Sequence, residues 1–136
     1  MFNKKYRNIV EKVCQQLTLR QKRGRNLFCL VSGPQGSGKT TFTSEIKKKL
    51  TKKKLKVLVL SIYDFYFGKK DRNKLSKTAS PLLVTRGVPG THNLQHLKKV
   101  LKVFFSKKKQ NYLLPQFSKA EDDILKSKYH KLTFPY

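Results

Sequence analysis

LFCLVSGPQGSGKTT, residues 27–41, decides how the rest of this chain reads. Leu27 to Val31 form a short apolar run that reads as a buried strand ending at Ser32-Gly33. From Lys39 to about Leu50 the apolar spacing becomes helical. Between them GPQGSGKT (33–40) matches G-x-x-x-x-G-K-[ST] in full, with a strand before it and a helix after it. Gly33, Gly36 and Gly38 permit positive φ and a close approach of backbone to ligand. Successive N–H groups then form an anion nest at a helix N-terminus. On this reading Gly33, Pro34, Gln35, Gly36, Ser37, Gly38, Lys39, Thr40 and Thr41 cradle the phosphates of a nucleotide. Lys39 is the catalytic cation for the β- and γ-phosphates. Thr40 offers its hydroxyl to Mg²⁺, and Thr41 supports the α-phosphate side. ATP and Mg²⁺ are the cofactors implied. The alternative is a Gly-rich turn that binds nothing; motif and context together weigh against it.

Working outward, residues 3–19 carry Tyr6, Ile9, Val10, Val13, Cys14 and Leu17 at helical spacing. The basic connector RQKRGRN (20–26) follows, with Gly24 as a stop signal. KVLVLS (56–61) reads as a second strand. Strand, helix and strand make a βαβ unit, which requires a right-handed crossover and a parallel sheet. The expected fold class is therefore α/β, a P-loop NTPase-type three-layer fold with a parallel sheet. One domain is expected over 1–136: a helix and connector (1–26), a βαβ core (27–62), and substrate-side loops and helices (63–136). Residues 68–92 read as loop, with Pro81, Gly87, Pro89 and Gly90. LQHLKKVLKVFF (94–105) is an amphipathic helix with Leu94, Leu97, Val100, Leu101 and Phe104 on one face. YLLPQF (112–117) suits a short strand, and a last short helix is expected near 120–129. No third parallel strand is evident, and two strands make a poor core. The chain thus reads as a truncated form, or as part of a larger architecture.

Thirty-two basic residues against seven acidic ones give a formal charge of +25. Such a chain adsorbs to polyanions nonspecifically by counterion release. Most of the cations are Lys, in runs such as 47–49, 52–54 and 107–109. Specific nucleic-acid surfaces favour Arg, so codon bias toward Lys is the better account of the excess. Cys14 and Cys29 sit in apolar stretches and read as buried thiols of a reducing compartment. No run of 18 apolar residues suggests a membrane span. The basic N-terminus lacks a secretory apolar core, so cytoplasm or an organellar matrix or stroma is expected.

Four segments in order, GPQGSGKTTF, SIYDFYF, PLLVTRGVPGTHN and LLPQFSKA, resemble the D-glycerate 3-kinase-like branch of the uridine kinase and phosphoribulokinase superfamily. RGVPGTHN (86–93) carries most of the resemblance, which spans about residues 27–120. It implies a monomeric α/β transferase moving the γ-phosphate of ATP to a hydroxyl of a small, glycerate-like acceptor. It also implies Arg86, His92 and Asn93 as acceptor contacts. Where the branch has Ser-x-Asp-Asp-Phe-Tyr, this chain has Ser61 to Tyr66, so Tyr63 stands at the expected base position and Asp64 matches the second acid. A phenol, with an ordinary pKa of ~10, is a poor base near neutrality. Asp64 reads equally well as a Mg²⁺ ligand or displaced catalytic base, and as an acid capping a turn. The branch's His-Asp becomes His92-Asn93, and its Phe-Asp-Lys becomes Phe117-Ser118-Lys119. A later Glu-Gly-Trp strand and an Arg-bearing lid are not found in this sequence. Three functions stay open: a small-molecule kinase, an ATP-binding remnant without transfer, and a basic nucleic-acid-associated protein.

Overall fold

The computed structural model describes residues 3–21, 26–106 and 108–134. Most of the expected basic connector, including Gly24, lies outside them, as do Lys107 and Tyr136. The chain divides into two compact units, residues 1–59 and 60–135, and each is described by itself.

In the first unit α1 (Lys4–Gln21) begins at Asn3, whose Oδ1 accepts the Tyr6 N–H at 2.8 Å, a side-chain N-cap. Its 3/4 stripe buries Val10 and Cys14 against Ile46 and Leu50 of α2 (Lys39–Lys52). Burying each aliphatic side chain of that core is worth roughly 1.5–3 kcal/mol. Tyr6, Leu17, Phe42 and Val57 pack around it. Lys49 Nζ donates to Glu11 Oε2 at 2.7 Å, joining the two helices at the core's edge. α2 ends in a Schellman arrangement: Leu55 N–H donates to Leu50 O and Lys54 N–H to Thr51 O. Its left-handed residue is Lys54, at φ 62°, where glycine is usual.

The two expected strands of this unit, 27–31 and 56–61, join no ladder among the described residues, so the parallel sheet is not formed there. A strand exists only where a neighbour takes up its N–H and C=O groups. An apolar run signals that cover is needed, and it does not supply the cover. Leu30 is 79% exposed, and Phe28 and Val59 are also largely exposed. Cys29 is exposed too, against the expectation of a buried thiol, because it lies in this uncovered segment.

The second unit runs from a 3-10 turn (Ile62–Phe65) to α3 (Lys69–Thr78), a second 3-10 turn (Pro81–Val84) and α4 (Leu94–Ser106). It closes with an antiparallel pair, β1 (Gln110–Ser118) and β2 (Asp123–Phe134), paired from Gln110↔Phe134 to Ser118↔Asp123. The register shifts between Pro115 and Phe117, where proline has no N–H to give the ladder. Phe134 of β2 meets Phe104 of α4 edge-on.

Two expectations are corrected here. Residues 68–92 are not a loop, since they hold α3, whose one fully buried residue is Arg72 and which has no apolar stripe to betray it. The helix expected near 120–129 is a tight turn followed by β2. Its turn acids are held by partners distant in sequence, and those contacts override the local helical propensity.

Candidate functional site

In the first unit the 33–40 loop turns through a Ser37 N–H to Pro34 O bond, with Gly36 and Gly38 both at φ 79°. A Cβ at either of these two would meet no atom within 4 Å, so glycine is required by the backbone and open space lies before it. A Cβ on Gly33 would come 3.0 Å from Ser37 Oγ, so a larger residue here would need that hydroxyl to shift. Gly38 caps α2 with no side-chain hydrogen bond, which leaves the first N–H groups of the helix without a side-chain acceptor. Lys39 Nζ donates to Gly33 O at 2.9 Å and Pro34 O at 2.7 Å, placing the ammonium against the loop. N–H donors and one cation facing open space can hold a polyanion.

The loop borders a cleft of about 830 Å³, lined by Gly33, Pro34, Gly36, Ser37, Gly38, Lys39 and Thr41 together with Asn3, Tyr6, Val31, Ser32 and Phe42. Gln35 and Thr40, expected in the cradle, are not part of that lining. The Thr40 carbonyl accepts from Thr43 Oγ1, which fixes the first turn of α2.

In the second unit SIYDFYF does not continue as a strand. The chain tightens into a 3-10 turn at Ile62, so strand alternation does not separate Tyr63 from Asp64. Ser61 Oγ accepts the Tyr63 N–H and begins the turn. Asp64 is largely buried, with Oδ1 accepting the Phe117 N–H at 3.2 Å and Oδ2 3.7 Å from His130 Nε2. This carboxylate fastens the hairpin to the turn. The Tyr63 ring lies under Lys119, whose Nζ is 3.8 Å from its centroid.

Arg86 is tied down as well. Its Nη1 donates to Asp122 Oδ1 at 2.7 Å and to Lys119 O at 3.0 Å. Asp122 also receives Arg72, whose Nη2 reaches Oδ2 at 2.9 Å and the Asp122 carbonyl, while Nη1 reaches Val84 O. Burial raises the Asp122 pKa, but the hydrogen bonds and charges of the two guanidiniums outweigh it and hold the carboxyl below its ordinary value. The Phe117 ring lies 6.0 Å from both guanidinium carbons.

His92 stacks on Tyr66 at 4.1 Å between centroids, and the two form an isolated backbone bridge. Its Nε2 is buried without a hydrogen-bond partner, and burial lowers its pKa. Asn93 Oδ1 accepts the His96 N–H at 3.0 Å and caps α4, while Ser118 Oγ accepts the Glu121 N–H at the hairpin turn. Both side chains, where the resemblance expects acids, therefore serve as neutral caps in this chain.

Tyr63, Asp64, Arg86 and His92 thus share one neighbourhood around Tyr66 and Phe117. Sequence reasoning missed Arg72, Asp122 and Asp123, the last of which accepts the Lys69 N–H at 2.7 Å and caps α3 from outside. The available signal was three consecutive acids, 121–123, in a chain with only seven.

No protein-family model matches the chain. It is 34% identical over 116 residues to "Uncharacterized kinase mug58" of Schizosaccharomyces pombe, covering 83% of this chain and 42% of that protein. It is 35% identical over 104 residues to "Probable ATP-dependent kinase TDA10" of Saccharomyces cerevisiae, covering 70% and 36%. The solved structure of YGR205w protein superposes with a TM-score of 0.81 at 30% identity, over 96% of this chain and 49% of that one. D-glycerate 3-kinase from Cryptococcus neoformans var. grubii gives 0.69 at 25% identity, over 98% and 50%. The chain therefore spans half or less of the length of these relatives. Over that span its relatives in sequence are kinases and its neighbours in fold are P-loop kinase-like, so the chain matches, in part, the D-glycerate 3-kinase-like branch.

Proposed function

We propose that the chain carries the ATP-binding and acceptor-side elements of a small-molecule kinase. The observation that supports this most is the 33–40 loop, with glycines open to a ligand and Lys39 against the cleft. The N–H groups of the loop and of the first turn of α2 would hold the β- and γ-phosphates of ATP, and Lys39 would exchange its loop carbonyls for phosphate oxygens. Mg²⁺ suits such a loop because it takes most of its ligands from phosphate and water, so the Thr40 hydroxyl is the protein ligand proposed for it in this unit. Bound Mg²⁺ would supply charge neutralisation of the phosphates. The acceptor is a hydroxyl of a small metabolite, glycerate-like because one structural relative is a D-glycerate 3-kinase. Arg86, His92 and Asn93 would border it. Titration calorimetry with Mg-ATP tests the nucleotide site. The wild type should bind and Lys39→Ala should bind at least tenfold more weakly; equal affinities would sink the reading.

A second reading, ATP binding without transfer, draws on Asp64. Its carboxylate is already engaged by Phe117, and Tyr63, where the resemblance expects the base, lies beneath Lys119. ADP release on adding D-glycerate favours the first reading. ATP binding without release across a panel of small hydroxy acids and polyols favours the second.

A further inference from the structure

The cleft beside the 33–40 loop has a second wall that the phosphate reading does not use. We propose that this wall, made by the first turn of α1 with Phe42, is the nucleobase site. The proposal rests on the reading of the loop as a nucleotide site and extends it to the base. Three side chains carry it. Tyr6 and Phe42 meet edge to face, with centroids 6.2 Å apart and an interplanar angle of 73°, and both line the cleft. An aromatic corner of this kind offers π and apolar surface to a flat heterocycle. Asn3 lines the same cleft, and its Oδ1 is already taken by the Tyr6 N–H. The group it has left for a ligand is the Nδ2 donor pair, which suits the ring-nitrogen acceptors of a purine.

The wall is firmly built. α1 is fixed to α2 by Val10 and Cys14 packed on Ile46 and Leu50, and by Glu11 with Lys49. Phe42 stands on α2 directly after the loop, and its N–H donates to Gly38 O at 2.9 Å. The aromatic corner and the loop are therefore held by one core, and a nucleotide spanning both needs no rearrangement of the helices. A cleft of about 830 Å³ has room for the whole ligand.

The test compares Mg-ATP with Mg-tripolyphosphate, which keeps the phosphates and lacks the base, by calorimetry on the full chain. The wild type should prefer ATP by about tenfold, the contribution expected of one base on an aromatic platform. Tyr6→Leu should abolish that preference and leave tripolyphosphate binding unchanged, while Lys39→Ala should weaken both ligands. Tyr6→Phe keeps the ring and should keep the preference. Nuclear Overhauser contacts from the adenine protons to the ring of Tyr6 or Phe42 in the wild type give a readout that needs no variant. Equal affinity for the two ligands, or adenine contacts to neither ring, overturns the base site while leaving the phosphate reading intact. Binding of neither ligand overturns both.

Discussion

Asp122 answers two arginines with one carboxylate, and one of those arginines, Arg72, is fully buried. Leaving a buried guanidinium without its partner is among the costlier single changes, though Asp122 is itself 36% exposed and water moderates the loss. Asp122→Asn should therefore destabilise the second unit by about 2 kcal/mol at pH 7, read as a shift in the urea midpoint. The folded carboxyl titrates below its unfolded value, so its stabilisation is complete above about pH 4 and is lost as pH falls through the folded pKa. The wild type should lose stability in that acid range, and Asp122→Asn should lose less there. A second residue-scale contrast is between the thiols. Cys14 is fully buried, and burial raises its pKa, whereas Cys29 is exposed. At pH 8 a disulfide reagent should modify one thiol per chain at once and the second only in denaturant. Two fast equivalents would show that the α1–α2 core opens readily. Little in the sequence separates these cysteines, because both sit in apolar runs and exposure depends on what covers the run.

At the scale of elements, legibility followed the kind of anchor each element uses. α2 was readable from its motif and α4 from its stripe, though of that face only Val100 is fully buried and Leu94 is largely exposed. α3 was not, because it is anchored by Arg72 through ion pairing and hydrogen bonds, and periodicity counts only apolar residues. β2 was misread because Ala120, Glu121 and Leu125 favour helix locally while Asp122 and Asp123 are fixed by Arg72 and Lys69 far back in the chain. For the candidate site, the 33–40 loop was legible as a Gly-rich turn into a helix, though Gln35 and Thr40 stand outside the cleft lining, whereas the capping roles of Asn93 and Ser118 depend on backbone turns that the sequence does not spell out. The Schellman end of α2 yields a prediction at this scale. Lys54 occupies a left-handed conformation that costs an L side chain roughly 1–2 kcal/mol. Lys54→Gly should raise the melting temperature by a few degrees, and a fall would show that the side chain makes up for the backbone.

Across the whole molecule, a formal charge of +25 opposes the approach of copies of the chain while Phe28, Leu30 and Val59 expose apolar surface. Salt should unbalance these effects. Raising ionic strength from about 50 to 500 mM should promote self-association by light scattering, and Leu30→Lys should suppress it. Scattering that falls with salt would point to charge-mediated contacts instead. The span of the carboxylate ties in the second unit also makes a prediction about the order of its assembly. Asp64 to Phe117, Asp122 to Arg72 and Asp123 to Lys69 join residues 53, 50 and 54 apart, while the hairpin ladder closes on itself across a tight turn. Chain-closure entropy delays contacts of that span, so the hairpin should condense early and the ties should lock last. An interaction made after the rate-limiting barrier governs escape from the native basin far more than entry into it. Asp123→Ala should therefore steepen the loss of native protein by accelerating unfolding several-fold in stopped-flow traces, with the refolding rate nearly unmoved. A slowed refolding limb would instead place the α3 tie inside the nucleus. The two aspartates at the hairpin tip, with Asp64 in the 3-10 turn, thus act as a latch on the lifetime of the fold as well as on its geometry.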